Sequence, residues 1–132
     1  MRPRLTDEFT LLADTAAHLL AERVAKYPAL IAAEKMTQTD ADTGIRTMRA
    51  VAEQWRAMID GAPGPDRCAC CGGASYREQR DTLIAANART TKIAAGAPSD
   101  ARKVERAAAV AALLWHAENA LAAERACWNA HA

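Results

Sequence analysis

The stretch SDARKVERAAAVAALLWHAENALAAERACW, residues 99–128, contains neither proline nor glycine. Alanine, leucine, glutamate and arginine dominate it, so helix propensity is favourable throughout, and the stretch predicts a single helix of about 30 residues, about 45 Å long. Pro98, Ser99 and Asp100 mark its start. Ala107, Leu114, Leu121 and Trp128 recur every seven residues with Val110 and Ala117 between them, which predicts a seam facing partner helices in coiled-coil fashion. Elsewhere alanine supplies roughly a quarter of the chain while β-branched and aromatic residues are few, so the fold class is all-α.

Other helices can be read outward from this spine. Ser75 and Glu78 have the spacing of a capping box and predict a helix carrying Tyr76, Leu83, Ile84 and Ile93 as far as Gly96. Before it, GAPGPDRCACCGG at residues 61–73 is too rich in proline and glycine for helix or regular strand, and reads as a loop. Upstream, Thr37 and Asp40 predict a capped helix whose stripe is Ile45, Met48, Val51, Ala52, Trp55, Met58 and Ile59, stopped by Gly61. The first helix has Thr6 as its expected cap and Leu5, Phe9, Leu12, Ala16, Leu20, Val24 and Tyr27 as its stripe. Pro28 is expected to break it and start a short further helix. The expected architecture is one α-helical domain, a bundle of about five helices: a hairpin over residues 1–60, a Cys/Gly/Pro loop over 61–75 and a helical pair over 76–132. The long last helix outruns its neighbours, which leaves room for a homodimer along its seam.

Length and charge narrow the function classes. A chain of 132 residues suits one domain. Its 17 basic and 16 acidic side chains leave a net charge of +1, with no strong pull toward nucleic acid or an anionic membrane. No apolar run is long enough to span a bilayer, and MRPRLTDEFT lacks the apolar core of a signal peptide. The expected compartment is the cytoplasm. There, cysteines read as free thiols or metal ligands more readily than as a disulfide framework.

Three of the four cysteines lie in the one irregular stretch. Cys68 and Cys71 have CxxC spacing followed by Gly72 and Gly73, resembling the knuckle of zinc-binding modules, in which two thiolates converge on one ion. Cys127 and His131, four apart on the last helix, project from one face and would complete a structural Cys3His zinc site if the last two helices are antiparallel. Cys70 competes with Cys68 and Cys71 or is a spectator. Redox catalysis lacks the βαβ context that such a dithiol needs.

Catalytic signatures are absent from the sequence. It contains no phosphate loop, nucleophile elbow, His-Glu-x-x-His or Glu-x-x-His motif, and Glu22 and Glu53 read as isolated acids. A non-enzymatic protein is expected. Arg77, Arg80, Arg89, Lys92, Arg102, Lys103 and Arg106 outnumber Glu78, Asp81, Asp100 and Glu105 over residues 77–106, a modest basic patch that helix surfaces often carry.

YPALIAAEKMTQTDADTGIRTMRAVAEQW, residues 27–55, resembles a pattern of small uncharacterised helical proteins of proteobacterial phages and prophages, carried by Tyr27, Pro28, Leu30, Met36, Thr37, Ile45, Met48 and Trp55. The resemblance implies a mobile-element origin and a non-catalytic module that binds a host protein or complex, such as an anti-CRISPR inhibitor of host defence. Trp55 and Trp128 are its candidate anchors, since large aromatics dominate interface energetics. The alternative is a small zinc-stapled nucleic-acid-binding regulator using the seven cations named above.

Overall fold

The computed structural model describes residues 2–131, the last by its backbone alone. The chain is all-α. Four helices, α1 (Phe9–Ala32), α2 (Gln38–Asp60), α3 (Tyr76–Ala95) and α4 (Ala101–His131), are joined by two short turns and one longer loop that holds a 3-10 turn at Ala69–Cys71.

The expected fifth helix is absent because Pro28 lies inside α1 without ending it. A proline in a helix removes the amide that would bond the carbonyl four residues back. Here that carbonyl belongs to Val24, which is exposed, as is Pro28, so water can satisfy the orphaned oxygen. The helix stops instead at a Schellman turn. Glu34, at φ 58°, donates to Ile31 O at 3.0 Å and Lys35 donates to Leu30 O at 2.9 Å.

Caps elsewhere follow local chemistry. Thr37 Oγ1 accepts from the Asp40 amide at 3.1 Å, and Gly61 takes the left-handed φ of 66° that ends α2. Ser75 and Glu78 make both halves of a capping box. Asp100 Oδ1 accepts from the Arg102 and Lys103 amides at 3.1 and 3.2 Å. Thr6 departs from expectation: the residue before α1 is Glu8, without a side-chain cap. The Thr6 hydroxyl instead accepts from Arg2 Nε at 2.7 Å, and its carbonyl accepts from His116 Nε2 at 2.7 Å, tying the N-terminal turn to α4.

Each helix packs on its sequence neighbours, and α1 also packs on α4. One core results, built from Leu12, Ala16 and Leu19 of α1, Met48, Val51 and Trp55 of α2, Leu83 and Ala86 of α3, and Val110, Ala112 and Leu113 of α4. The buried face of α4 is rotated from the expected seam: Ala109, Val110, Ala112, Leu113 and Leu121 are buried, Ala107, Leu114 and Ala117 are half-buried, and Trp128 faces solvent. Alanine explains the shift, because it can lie on a core face or outside it at little cost. Helix length explains the exposed end: the 31 residues of α4 run about 46 Å, against about 36 Å for α1.

Candidate functional site

The cysteine loop is held from both sides. Its own turn is closed by bonds from Cys71 N and Gly73 N to Cys68 O, at 3.1 and 3.0 Å, and from Ala74 N to Asp66 O at 3.3 Å. Position 73 tolerates only glycine, since an added Cβ would stand 1.7 Å from Asp66 O. From α2, Arg46 donates to Gly73 O and to Glu78 Oε2, both at 2.7 Å. From the loop, Arg67 lies 4.7 Å from the Tyr76 ring centre and pairs with Glu124 of α4 at 3.2 Å. The loop thus reaches the last third of α4.

Within it, Cys68, Cys70 and Cys71 place their sulfurs within 4.8 Å of one another, a cluster that could hold a metal ion. The composition of that cluster differs from the expected Cys68, Cys71, Cys127 and His131. Cys70, the competitor by sequence, is disulfide-bonded to Cys68, and its sulfur lies 3.8 Å from that of Cys71. The 3-10 turn at Ala69–Cys71, entered from Cys68, causes this by gathering three near-consecutive, exposed side chains on one short arc. Cys127 stands outside the cluster, in a shallow hollow shared with Arg67, Tyr76 and Trp128. The His131 side chain lies outside the described residues.

The two candidate anchors separate. Trp55 is 7% exposed and belongs to the core, with its ring 5.0 Å from that of His116 in an edge-on contact, so it is no surface anchor. His116 is a packing hub that also meets the rings of Trp115 and Phe9. Trp128 is 74% exposed at the far end of α4.

The arginine-rich set divides as well. Arg89, Arg102, Lys103 and Arg106 line a cleft of about 430 Å³ between α1, α3 and α4, whereas Arg77, Arg80 and Lys92 do not. Arg80 pairs with Asp81 at 2.9 Å. From α1 the cleft receives His18, Glu22, Arg23 and Lys26, which the sequence reading did not connect with it. Only their i, i+4 spacing, His18–Glu22–Lys26, hinted at one shared face. Glu22, read from sequence as isolated, pairs with Arg89 at 3.0 Å and Lys26 at 3.3 Å, with His18 Nε2 at 3.8 Å. Burial alone would raise the Glu22 carboxyl, but Arg89, Lys26 and His18 outweigh it and hold it below its ordinary value. Arg23 is committed elsewhere, donating to Gly44 O and Thr82 Oγ1 at 2.7 Å each; its burial lowers its pKa.

No described helix is long and apolar enough to cross a membrane. No family model matches the chain, and no curated protein or solved structure matches it either.

Proposed function

We propose that the protein is a non-catalytic protein-binding module that docks a host protein through the end of α4, and, given the resemblance of residues 27–55 to phage proteins, that it blocks a host defence complex of the kind anti-CRISPR proteins target. The observation that carries this reading is Trp128, 74% exposed beside Tyr76, Arg67 and the small residues Ala120 and Ala123. An indole left in water is a standing cost, and burying it against a partner would contribute on the order of 3 kcal/mol. Tryptophan and arginine side by side are the residue types most enriched at interface hot spots.

Zinc has a supporting part in this proposal. Once a cellular dithiol reduces the Cys68–Cys70 bond by exchange, itself becoming a disulfide, the three thiols can lose their protons to zinc. The 3.8 Å between the Cys70 and Cys71 sulfurs matches the edge of a tetrahedral zinc–thiolate site, about 3.8 Å for Zn–S bonds near 2.3 Å. Cys68, Cys70 and Cys71 would hold the ion, with Cys127, outside the cluster in the hollow beside Arg67, as the candidate for a fourth ligand. The ion would fix the turn that presents Arg67 to Tyr76.

The test is site-specific photo-crosslinking from position 129 in proteobacterial host cells, with the complex then challenged by salt. A discrete adduct with one host protein, lost in Trp128→Ala and insensitive to salt, is expected. Adducts only between copies of this chain would instead assign the surface to a homodimer, and adducts that track nucleic acid and dissolve with salt would favour the zinc-stapled regulator.

A further inference from the structure

The cleft between α1, α3 and α4 holds more positive charge than its own carboxylate can answer. Six cationic side chains line it against one acid, Glu22, which Arg89, Lys26 and His18 already share. Across from that cluster, Arg102 and Arg106 stand one helical turn apart on α4, and neither guanidinium has a carboxylate partner among the described residues; Lys103 has only Asp100, at 3.8 Å. Like charges at this spacing repel. They lie in the first two turns of α4, where Asp100 already meets the helix dipole by accepting from the Arg102 and Lys103 amides, so what stays unanswered is the guanidinium charge itself. A bound anion would relieve that repulsion by pairing with both guanidinium groups.

We propose that this cleft binds a small organic phosphate of about mononucleotide size, its phosphate between Arg102 and Arg106 on one wall and Arg89 and Lys26 on the other. Guanidinium groups match phosphate by bidentate hydrogen bonding, which makes arginine pairs the natural receptors for it. The cleft volume of about 430 Å³ is that of a small-molecule site. Its floor supplies the other half of the recognition: Leu19 and Ala86 are buried beneath the charged rim, and Ile93 offers an apolar wall to the organic part. The extent of the basic lining favours a small ligand over a long one, because a nucleic-acid track needs a basic groove running over several nucleotides, and Arg77, Arg80 and Lys92 do not line this one. The site is separate from the docking end: Arg106 and Trp128 lie about 33 Å apart along α4.

The experiment is calorimetric titration of the full chain with ADP, pyrophosphate, inorganic sulfate and a single-stranded oligonucleotide of about 20 bases, accompanied by amide chemical-shift mapping. One ADP per chain is expected, with Kd in the range of about 10–100 μM, shifts centred on Leu19, Thr90 and Arg106, and weaker pyrophosphate binding. The double variant Arg102→Gln/Arg106→Gln should weaken ADP at least about tenfold while its melting temperature stays within a few degrees, since Arg102 is exposed, Arg106 is only half-buried and neither has a carboxylate partner among the described residues. Four results overturn the proposal: no ADP binding at about 1 mM, ADP binding untouched by the double variant, sulfate binding as tightly as ADP, or oligonucleotide binding that ADP cannot displace.

Discussion

Glu78 is the residue on which the attachment of the cysteine loop can be measured. Its Oε2 accepts from Arg46 of α2 at 2.7 Å, and its Oε1 accepts from the Ser75 amide at 3.1 Å, while its own amide donates to Ser75 Oγ. Glu78→Ala removes the return half of the capping box, worth about 0.5 kcal/mol. It also removes a charge-assisted bond; with the two side chains 23% and 34% exposed, solvent screening reduces that contribution to about 1–1.5 kcal/mol. The expected loss is about 2 kcal/mol, or a melting temperature lower by about 6–8 °C for a domain of this size. Glu78→Gln keeps the cap and loses only the charge, so about 1 kcal/mol should separate it from the wild type at pH 7.

The pH dependence follows from the same bonds. The Arg46 guanidinium, with help from Ser75 and against partial burial, holds the Glu78 carboxyl below its ordinary value. A depressed folded pKa contributes stability that is complete above the unfolded value and is lost as pH falls through the folded one. The gap between wild type and Glu78→Gln should therefore be full at neutral pH and close below about pH 4.5. Glu22 titrates over the same window in both proteins and cancels in the difference. Urea denaturation followed by circular dichroism across this range is the assay. A gap as large at pH 3 as at pH 7, or an alanine variant within about 0.5 kcal/mol of wild type, would refute the assignment.

Three further outcomes are expected. Trp55→Ala should cost about 3–5 kcal/mol and Trp128→Ala less than about 0.5 kcal/mol in the same denaturation assay; equal losses would contradict the burial assigned to them. Gly73→Ala should open the loop, because the methyl group would overlap Asp66 O, and hydrogen exchange of the 66–76 amides should rise toward that of an unstructured segment. In reduced protein with one equivalent of zinc, Cys68, Cys70 and Cys71 should resist alkylation and become reactive on chelation; alkylation at the same rate with and without zinc would remove the metal proposal.

What was legible from sequence is what local chemistry decides. Thr37, Gly61, Ser75 with Glu78, and Asp100 mark helix ends through bonds that span only a few residues, and all are where the spacing puts them. Pro28 was misread because the local rule is sound but its cost depends on whether Val24 O meets water, a tertiary fact. The face of α4 was misjudged because alanine gives a heptad and its neighbouring register almost equal apolar content. Trp55 and Trp128 are chemically identical in sequence, and only the length of α4 relative to α1 and α2 leaves one in the core and one outside. The basic cleft was half visible: its α4 and α3 cations were noted as a patch, but the α1 wall that makes it concave lies more than 60 residues away, beyond the reach of any spacing rule.

The cysteine cluster acts on the α4 end rather than on the core. A cross-link stabilises by restricting the unfolded chain, and the restriction grows with the loop it closes. Cys68 and Cys70 are two residues apart, so a disulfide between them, or an ion shared with Cys71, removes very little unfolded-state entropy. The loop it orders also buries little: of residues 61–75, only Gly73 and Ala74 are buried. What the closed turn does determine is the position of Arg67, whose contacts with Tyr76 and Glu124 form one side of the hollow at Trp128. Opening the turn should therefore leave the global melting temperature nearly unchanged while loosening that hollow and weakening whatever docks there. A large fall in stability on reduction and chelation would place the cluster in the core's cooperative unit instead, and the two behaviours are separable by comparing global unfolding with local exchange at Tyr76 and Glu124.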